Sequence, residues 1–375
     1  MSEKPVKILS LQGLRALAFI GIFTEHAGIT RLGSWGVSCF LILSGFLRYY
    51  NYGTIMVTFQ GCDSLKDNIA SAIRKIKKLY PLHCITLFVA MCVYWENQRL
   101  DSIKHILLWI GKVVFNLMLL QSWVPKAEFY FSFNAVSWYL STIIVSYIAF
   151  PYIRKAIHHV KSKYGILLRM IAVIAIQSAI SILLIVYNEQ VNSVPVTISD
   201  DVTKYVTYIC PLYRMGDFYI GCLLGCFFKK YSFFRKENRT IFSVMEIIAF
   251  TFMYILQTIY RGKVSFLGND AFRYTLLYTI QVMILVILVG INQGVISKYI
   301  LSSRIMVFIG DLSGYAFLIH QLVIVIMWRV MEVNIGMQIA NALFSFAITI
   351  LLAYIWRLGE INIKSRLRGR ENKYE

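Results

Sequence analysis

The sequence predicts an all-α polytopic membrane protein with about ten transmembrane helices and one further segment, near residues 105–122, that does not cross the membrane. Hydrophobic residues make up 58% of the 375-residue chain, and the mean hydropathy of +0.63 is too high for an ordinary soluble domain. Apolar stretches of roughly 20 residues, the length of a membrane-spanning helix, recur along the whole chain. Positively charged residues fall mainly in the short segments between these stretches.

No polar stretch is long enough for a separate soluble domain, so we expect residues 1–375 to form one transmembrane domain with a basic tail at 357–375. Segment 105–122 follows Lys104 and contains His105 and Lys112, which makes it the most polar candidate. We expect it to lie in the membrane interface or to dip into the protein interior. The apolar segments, in order, are 8–28, 33–51, 82–96, 105–122, 135–153, 168–187, 205–228, 241–260, 273–292, 306–329 and 337–356.

The distribution of lysine and arginine predicts the topology. If the ten other segments cross, 25 of these residues lie on the side that holds both termini and 8 lie on the opposite side. Because cytoplasmic loops carry the excess of positive charge, both termini are expected in the cytosol. The net charge of +19 is thereby explained by membrane topology, without a nucleic-acid partner.

The seven cysteines have no spacing typical of a zinc site or a disulfide framework, and no metal is predicted.

Arg15 and His26 lie eleven residues apart within the first apolar segment. At 100° a residue, this spacing puts both side chains on one face of a helix, about 16 Å apart along its axis. Ionisable groups within a membrane span are costly and are functional candidates by default. A histidine at depth suits general-base chemistry. Glu25 points about 100° away from that face, where it either orients another group or lies at the outer interface.

Two neighbouring stretches each allow a structural and a functional interpretation. The glycine- and serine-rich residues 33–47 favour close helix packing, or close approach of a thin acyl or pantetheine chain. The cluster Arg74, Lys75, Lys77 and Lys78 precedes Tyr80–Pro81. Its charges suit either attraction to anionic lipid or the anchoring of a phosphate-bearing donor.

Three further features lie in later segments. Aromatic residues from Trp123 to Tyr139 indicate an interfacial belt or a platform for a sugar ring. Arg214 and Asp217, three residues apart, are expected to pair on one helix face. His320 is a second histidine within a span, suited to a polar helix contact or to a role in the site.

These residues together resemble the membrane-bound acyltransferase-3 family, whose members include bacterial polysaccharide O-acetyltransferases. Arg15 and His26 are similar to the family's arginine–ten residues–histidine signature, and residues 33–47 to the pattern that follows it. The stretch 75–81 is similar to the family's basic motif, with lysines in place of two arginines. Residues 137–140 resemble its Ser-Trp-x-Leu segment, although the glutamate that many members carry shortly afterwards is absent.

The resemblance implies ten transmembrane helices in a bacterial plasma membrane. It also implies transfer of an acetyl or other short acyl group from cytosolic acyl-CoA to a hydroxyl of a cell-surface, capsule, cell-wall or lipid-linked glycan. The expected catalytic residues are His26, Arg15 and Glu25. Those expected to bind the donor, acetyl-CoA, are Arg74, Lys75, Lys78 and Tyr80. Those expected to bind the acceptor are Ser137, Trp138, Tyr139, Arg214 and His320.

Two other functions remain open from the sequence. A transporter or flippase of a glycan or lipid intermediate also fits ten helices with buried charges. A structural partner in a capsule or cell-wall complex would leave the deep Arg15, His26 and His320 without a role. The oligomeric state is not predicted.

Overall fold

The computed structural model describes residues 7–52, 64–98, 100–192, 200–231, 238–259, 269–331 and 337–371, and the predicted all-α class is confirmed, because no strand occurs among them. The α-helices are α1 Leu9–His26, α2 Gly33–Tyr52, α3 Leu65–Ile76, α4 Tyr80–Val93, α5 Ile103–Leu117, α6 Ala127–Tyr130, α7 Trp138–His158, α8 Lys163–Asn192, α9 Asp201–Lys204, α10 Pro211–Lys230, α11 Arg239–Ile259, α12 Asp270–Phe272, α13 Tyr278–Ile291, α14 Arg304–Met331 and α15 Gln338–Glu371. Short 3₁₀ segments lie at Trp95–Asn97, Gln121–Trp123 and Ala135–Ser137, and π-helical segments at Tyr205–Ile209, Arg273–Leu277 and Ile296–Leu301.

Six stretches in the described part of the chain are helical, long and apolar enough to cross a membrane. Helices α3 and α4, bent by 66° at the break between them, would make a seventh if the pair is one span. The predicted count of ten therefore stays a prediction. The six stretches are Ala135–His158, Lys163–Val191, Arg239–Leu256, Asp270–Ile291, Arg304–Met331 and Gln338–Ile363.

Helices α2 and α10 pack against each other through glycines at the centre of the bundle. A Cβ added at Gly45 would strike the carbonyl oxygen of Phe218, and one added at Gly221 would strike that of Ile42. Small residues at these points let the two backbones approach closely, as in other membrane helix pairs. The packing interpretation of the glycine-rich stretch is confirmed for Gly45.

Helix α5, within the segment predicted not to cross, runs alongside α4 in the opposite direction. The ring centroids of Trp95 and Trp109 lie 6.3 Å apart near one end of the pair. At the other end, the Tyr80 hydroxyl donates to the Leu117 carbonyl oxygen over 2.9 Å. Helix α5 has 15 residues, about 22 Å of helix. That it does not cross the membrane stays a prediction.

Gly28 determines where α1 ends and therefore where His26 lies. Its φ of +76° belongs to the left-handed region in which glycine commonly terminates helices. The chain then turns back into α2, and the Glu25 carboxylate accepts a hydrogen bond from the Gly33 N–H over 2.6 Å. This bond satisfies one of the unpaired N–H groups at the start of α2 and fixes the last turn of α1 against it.

Candidate active site

Two histidines from distant parts of the chain meet where α1 ends. Nδ1 of His26 lies 2.7 Å from Nε2 of His320, and the two ring centroids are 4.9 Å apart. His320 lies inside α14 and is completely buried, whereas His26 is exposed to a cavity. The fold thus brings His320 into direct contact with His26, the residue predicted to act as the base.

The hydrogen bonds define which ring nitrogens carry protons when both rings are neutral. Nδ1 of His320 lies 2.8 Å from the carbonyl oxygen of Phe317, and this oxygen can only accept. His320 therefore carries its proton on Nδ1, and its Nε2 accepts a hydrogen bond from the Nδ1–H of His26. Nε2 of His26 is left with a lone pair, which is the form that a general base requires.

The cavity beside His26 has a volume of about 660 Å³, within the range of about 300–1,000 Å³ for small-molecule sites. It combines charges of both signs with aromatic rings. The charged residues of the lining are Glu25, Arg31, Lys204 and Asp270, and the principal aromatic ones are Phe131, Trp138, Tyr208, Tyr274 and Phe317.

Arg15 lies away from this cavity, further back along α1. Its guanidinium carbon is 5.9 Å from the centre of the Phe40 ring, and its charge acts on the hydroxyls of Tyr139 and Tyr147. Ser44 lies beside both hydroxyls. All four polar side chains are only partly exposed although they lie within the bundle. Arg15, Ser44, Tyr139 and Tyr147 therefore form a polar group contributed by α1, α2 and α7.

Three aromatic rings separate Arg15 from the cavity. The Tyr139 and Phe317 ring centroids are 5.3 Å apart, and Phe40 lies 6.2 Å from Tyr139 and 6.0 Å from Phe317. Phe317 lines the cavity, whereas Phe40 contacts Arg15. The aromatic cluster therefore lies between Arg15 and the cavity, and Phe317 brings it close to His320.

Comparison with known proteins identifies the chemistry that this arrangement belongs to. The family model described as "Acyltransferase domain" matches residues 8–357. The chain belongs to the acyltransferase-3 family. It is also 30% identical over 168 residues to a protein named Acyltransferase MdmB from Streptomyces mycarofaciens. This alignment spans 40% of each chain. No solved structure matches the chain.

The other residues predicted to bind the acceptor have different environments. Trp138 lines the cavity. Ser137 is buried next to it and donates to the Asn116 side chain over 3.3 Å, which ties α5 to the start of α7. Tyr139 faces Phe40 and Phe317 instead of the cavity. Acceptor binding by each of these residues stays a prediction.

Arg214 forms the predicted ion pair with Asp217, at 3.0 Å, and both side chains are buried. Its Nη2 also donates to Ser38 over 3.0 Å, and Thr279 donates to Asp217 over 3.4 Å. These contacts join α10 to α2 and α13, and Arg214 does not line the described cavity beside His26. Its position indicates a structural role, while acceptor binding by Arg214 stays a prediction.

The four residues predicted to bind the donor point in different directions. Arg74 and Lys78 line a second, apolar groove, whereas Lys75 lies close enough to Arg48 for their charges to repel each other. Burial, followed by the charge of Arg48, lowers the pKa of the Lys75 ammonium on α3, which we treat as lying along the membrane surface. The Tyr80 hydroxyl is bonded to α5. The structure does not gather these four residues into one cluster, and donor binding stays a prediction for each.

Sequence reasoning missed several residues that surround the site. The cavity is also lined by Asp270, Tyr208 and Tyr274. These residues lie near the ends of apolar segments, and no sequence motif surrounds them. Phe40 lies in the stretch 33–47, which the sequence marked by its glycines and serines, but an apolar ring there, like that of Phe317, gives no sign of its contacts. Only contacts between distant segments, which one sequence does not reveal, bring them to the histidines.

Proposed function

We propose that the protein is a membrane O-acyltransferase that transfers an acetyl or other short acyl group from acyl-CoA to a hydroxyl group of a glycan. Membership of the acyltransferase family supports acyl transfer in the membrane. The observation that carries the proposed mechanism is the hydrogen-bonded series from His26 through His320 to the Phe317 carbonyl. This series prepares an unprotonated nitrogen at the edge of a cavity.

The acceptor enters the cavity beside His26. Its aromatic rings offer apolar faces to a sugar ring, and the carboxylates of Glu25 and Asp270 can accept hydrogen bonds from sugar hydroxyls. Glu25 already holds Gly33 and therefore acts at the cavity wall, next to the base. We place this side of the protein outside the bacterial plasma membrane.

The donor enters from the cytosolic, basic end. We assign the phosphates of CoA to Lys75 and Arg48, and the pantetheine arm to the polar group formed by Arg15, Ser44 and Tyr147. Because Arg15 and His26 are about 16 Å apart along α1, Arg15 cannot touch a carbonyl that is attacked next to His26. Its role is to hold the donor.

The reaction proceeds by general-base catalysis. His26 Nε2 takes the proton of the acceptor hydroxyl as its oxygen attacks the thioester carbonyl carbon. The carbon–sulfur bond breaks, and the protonated His26 returns the proton to the leaving thiolate. An ester and free CoA are formed. His320 accepts from His26 Nδ1 throughout and steadies the transient positive charge on that ring.

The proposal is tested with acetyl-CoA labelled in the acetyl group and, separately, in the CoA part, added to the cytosolic side of membrane vesicles. Transfer predicts that the acetyl label enters glycan as a hydroxylamine-sensitive ester while the CoA label stays with free CoA. Movement of an intact glycan or lipid without incorporation of acetyl label would favour a transporter or flippase and contradict the proposal.

A further inference from the structure

We propose that the apolar groove between α4, α14 and α15 binds one anionic phospholipid from the surrounding membrane. The groove has a volume of about 950 Å³ and is lined mainly by aliphatic side chains. It is separate from the cavity beside His26, since the two share no lining residue. None of the steps proposed for acyl transfer uses it.

The basic end of the groove carries the charge that an anionic headgroup requires. Arg74, Lys77 and Lys78 line it, and all three are exposed. Glu360 is the acidic residue of the described lining, and its carboxylate is held by the Tyr315 hydroxyl. Three cations and one carboxylate leave a net positive charge, which attracts anionic lipid headgroups.

The length of the groove matches one leaflet. Along α15 its lining extends from Leu352 to Ile363, which are separated by eleven helical steps or about 16 Å. Half of a hydrocarbon core of about 30 Å is about 15 Å. The groove therefore accommodates acyl chains that begin at a headgroup on one membrane surface and end near the midplane.

The walls are accessible from the bilayer. Ile85 of α4 is 49% exposed, and Ile355 of α15 is 54% exposed. Such side chains face hydrocarbon when their helices lie in a membrane, so a lipid can enter sideways. The positive charge at one end of the groove favours an anionic phospholipid over a neutral lipid. A neutral headgroup would have no net attraction to Arg74, Lys77 and Lys78.

Gly359 gives a direct way to block the groove. It lines the groove, and a Cβ added there meets no heavy atom within 4 Å. A side chain can therefore start at this position without a clash, and Gly359→Phe is expected to place its ring in the groove. Gly111→Phe is the matched control, because a Cβ at Gly111 on α5 also meets nothing within 4 Å and Gly111 is outside the groove.

The test is native mass spectrometry of the full-length protein released from bilayers of equal phosphatidylglycerol and phosphatidylcholine. Wild type and Gly111→Phe should retain one phosphatidylglycerol, and Gly359→Phe should lose it. Retention of phosphatidylglycerol by Gly359→Phe at the wild-type level, or retention of phosphatidylcholine in its place by the wild type, would overturn the proposal.

A charge variant tests the headgroup contact separately. Replacing Arg74, Lys77 and Lys78 by glutamine should reduce the preference for phosphatidylglycerol by about fivefold for each cation removed. The control replaces Lys66, Lys155 and Lys298, which are exposed and lie outside the groove lining. An equal fall in both triple variants would show general surface attraction and no headgroup site.

Discussion

At the scale of single residues, the site depends on which nitrogen of His26 carries the proton. The Phe317 carbonyl oxygen sets the tautomer of His320, and His320 sets that of His26. The sequence predicted His26 as the base and left His320 between a helix contact and a function. It could not show that the two rings touch, because 294 residues separate them.

We predict that an acceptor atom at position 320 is needed for activity. His320→Leu removes the partner of His26 Nδ1 and should lower kcat about 100-fold, within the range of about 10²–10⁴ for general-base contributions. His320→Gln keeps an oxygen that can accept from Nδ1 and should retain more activity. Kinetics of acetyl transfer at saturating donor measure both variants. Equal kcat values for Leu and Gln would show that position 320 serves packing alone.

A second residue-scale prediction concerns the buried pair Arg214–Asp217. Asp217→Leu alone leaves an unpaired buried guanidinium and should lower the free energy of unfolding by about 3–5 kcal/mol. Combining it with Arg214→Met removes both charges and should restore much of this loss. Thermal unfolding in detergent compares the three proteins. A double variant less stable than Asp217→Leu would contradict the assignment of a structural ion pair.

At the scale of helices, the sequence patterns predicted that a helix would form better than they predicted its first and last residues. The predicted segment 205–228 is two elements, because Pro211 lacks an N–H and starts a new helix, α10, after the π-helical Tyr205–Ile209. The predicted basic tail from 357 continues α15 as far as Glu371. Hydropathy marks the apolar part of a helix, whereas hydrogen bonding carries α15 on into polar sequence.

The contact between α2 and α10 is predicted to tolerate no side chain at its closest point. Gly221→Leu forces the side chain against the backbone of α2 and should abolish the monodisperse peak of the solubilised protein. Gly111→Leu, on the open surface of α5, is the control and should leave the peak unchanged. Size-exclusion chromatography of fluorescent fusions measures both, and normal behaviour of Gly221→Leu would contradict the observed packing.

At the scale of the whole molecule, the bundle separates a basic end from a cavity end. Positively charged residues predicted this polarity from the sequence alone, since they cluster in alternate loops. The cavity and the polar group around Arg15 were not predictable, because each is formed by helices far apart in the chain. The aromatic cluster of Phe40, Tyr139 and Phe317 lies between the two.

The basic end is predicted to face the cytosol. A green fluorescent protein fused after residue 375 should fluoresce, and alkaline phosphatase fused at the same point should be inactive, because that enzyme matures only after export. Active phosphatase and a dark fluorescent fusion would place the donor side outside the cell. Cytosolic acyl-CoA could then not reach Lys75 and Arg15 as proposed.

The central claim is that His26 is the base of acyl transfer, and replacement of this residue tests it most directly. His26→Ala and the control His105→Ala, a histidine on α5 that pairs with Asp101, are compared at equal amounts in membranes supplied with labelled acetyl-CoA. His26→Ala should lower acetyl transfer to the glycan by about 10²–10⁴-fold, and His105→Ala should match the wild type. Undiminished transfer by His26→Ala would contradict the account.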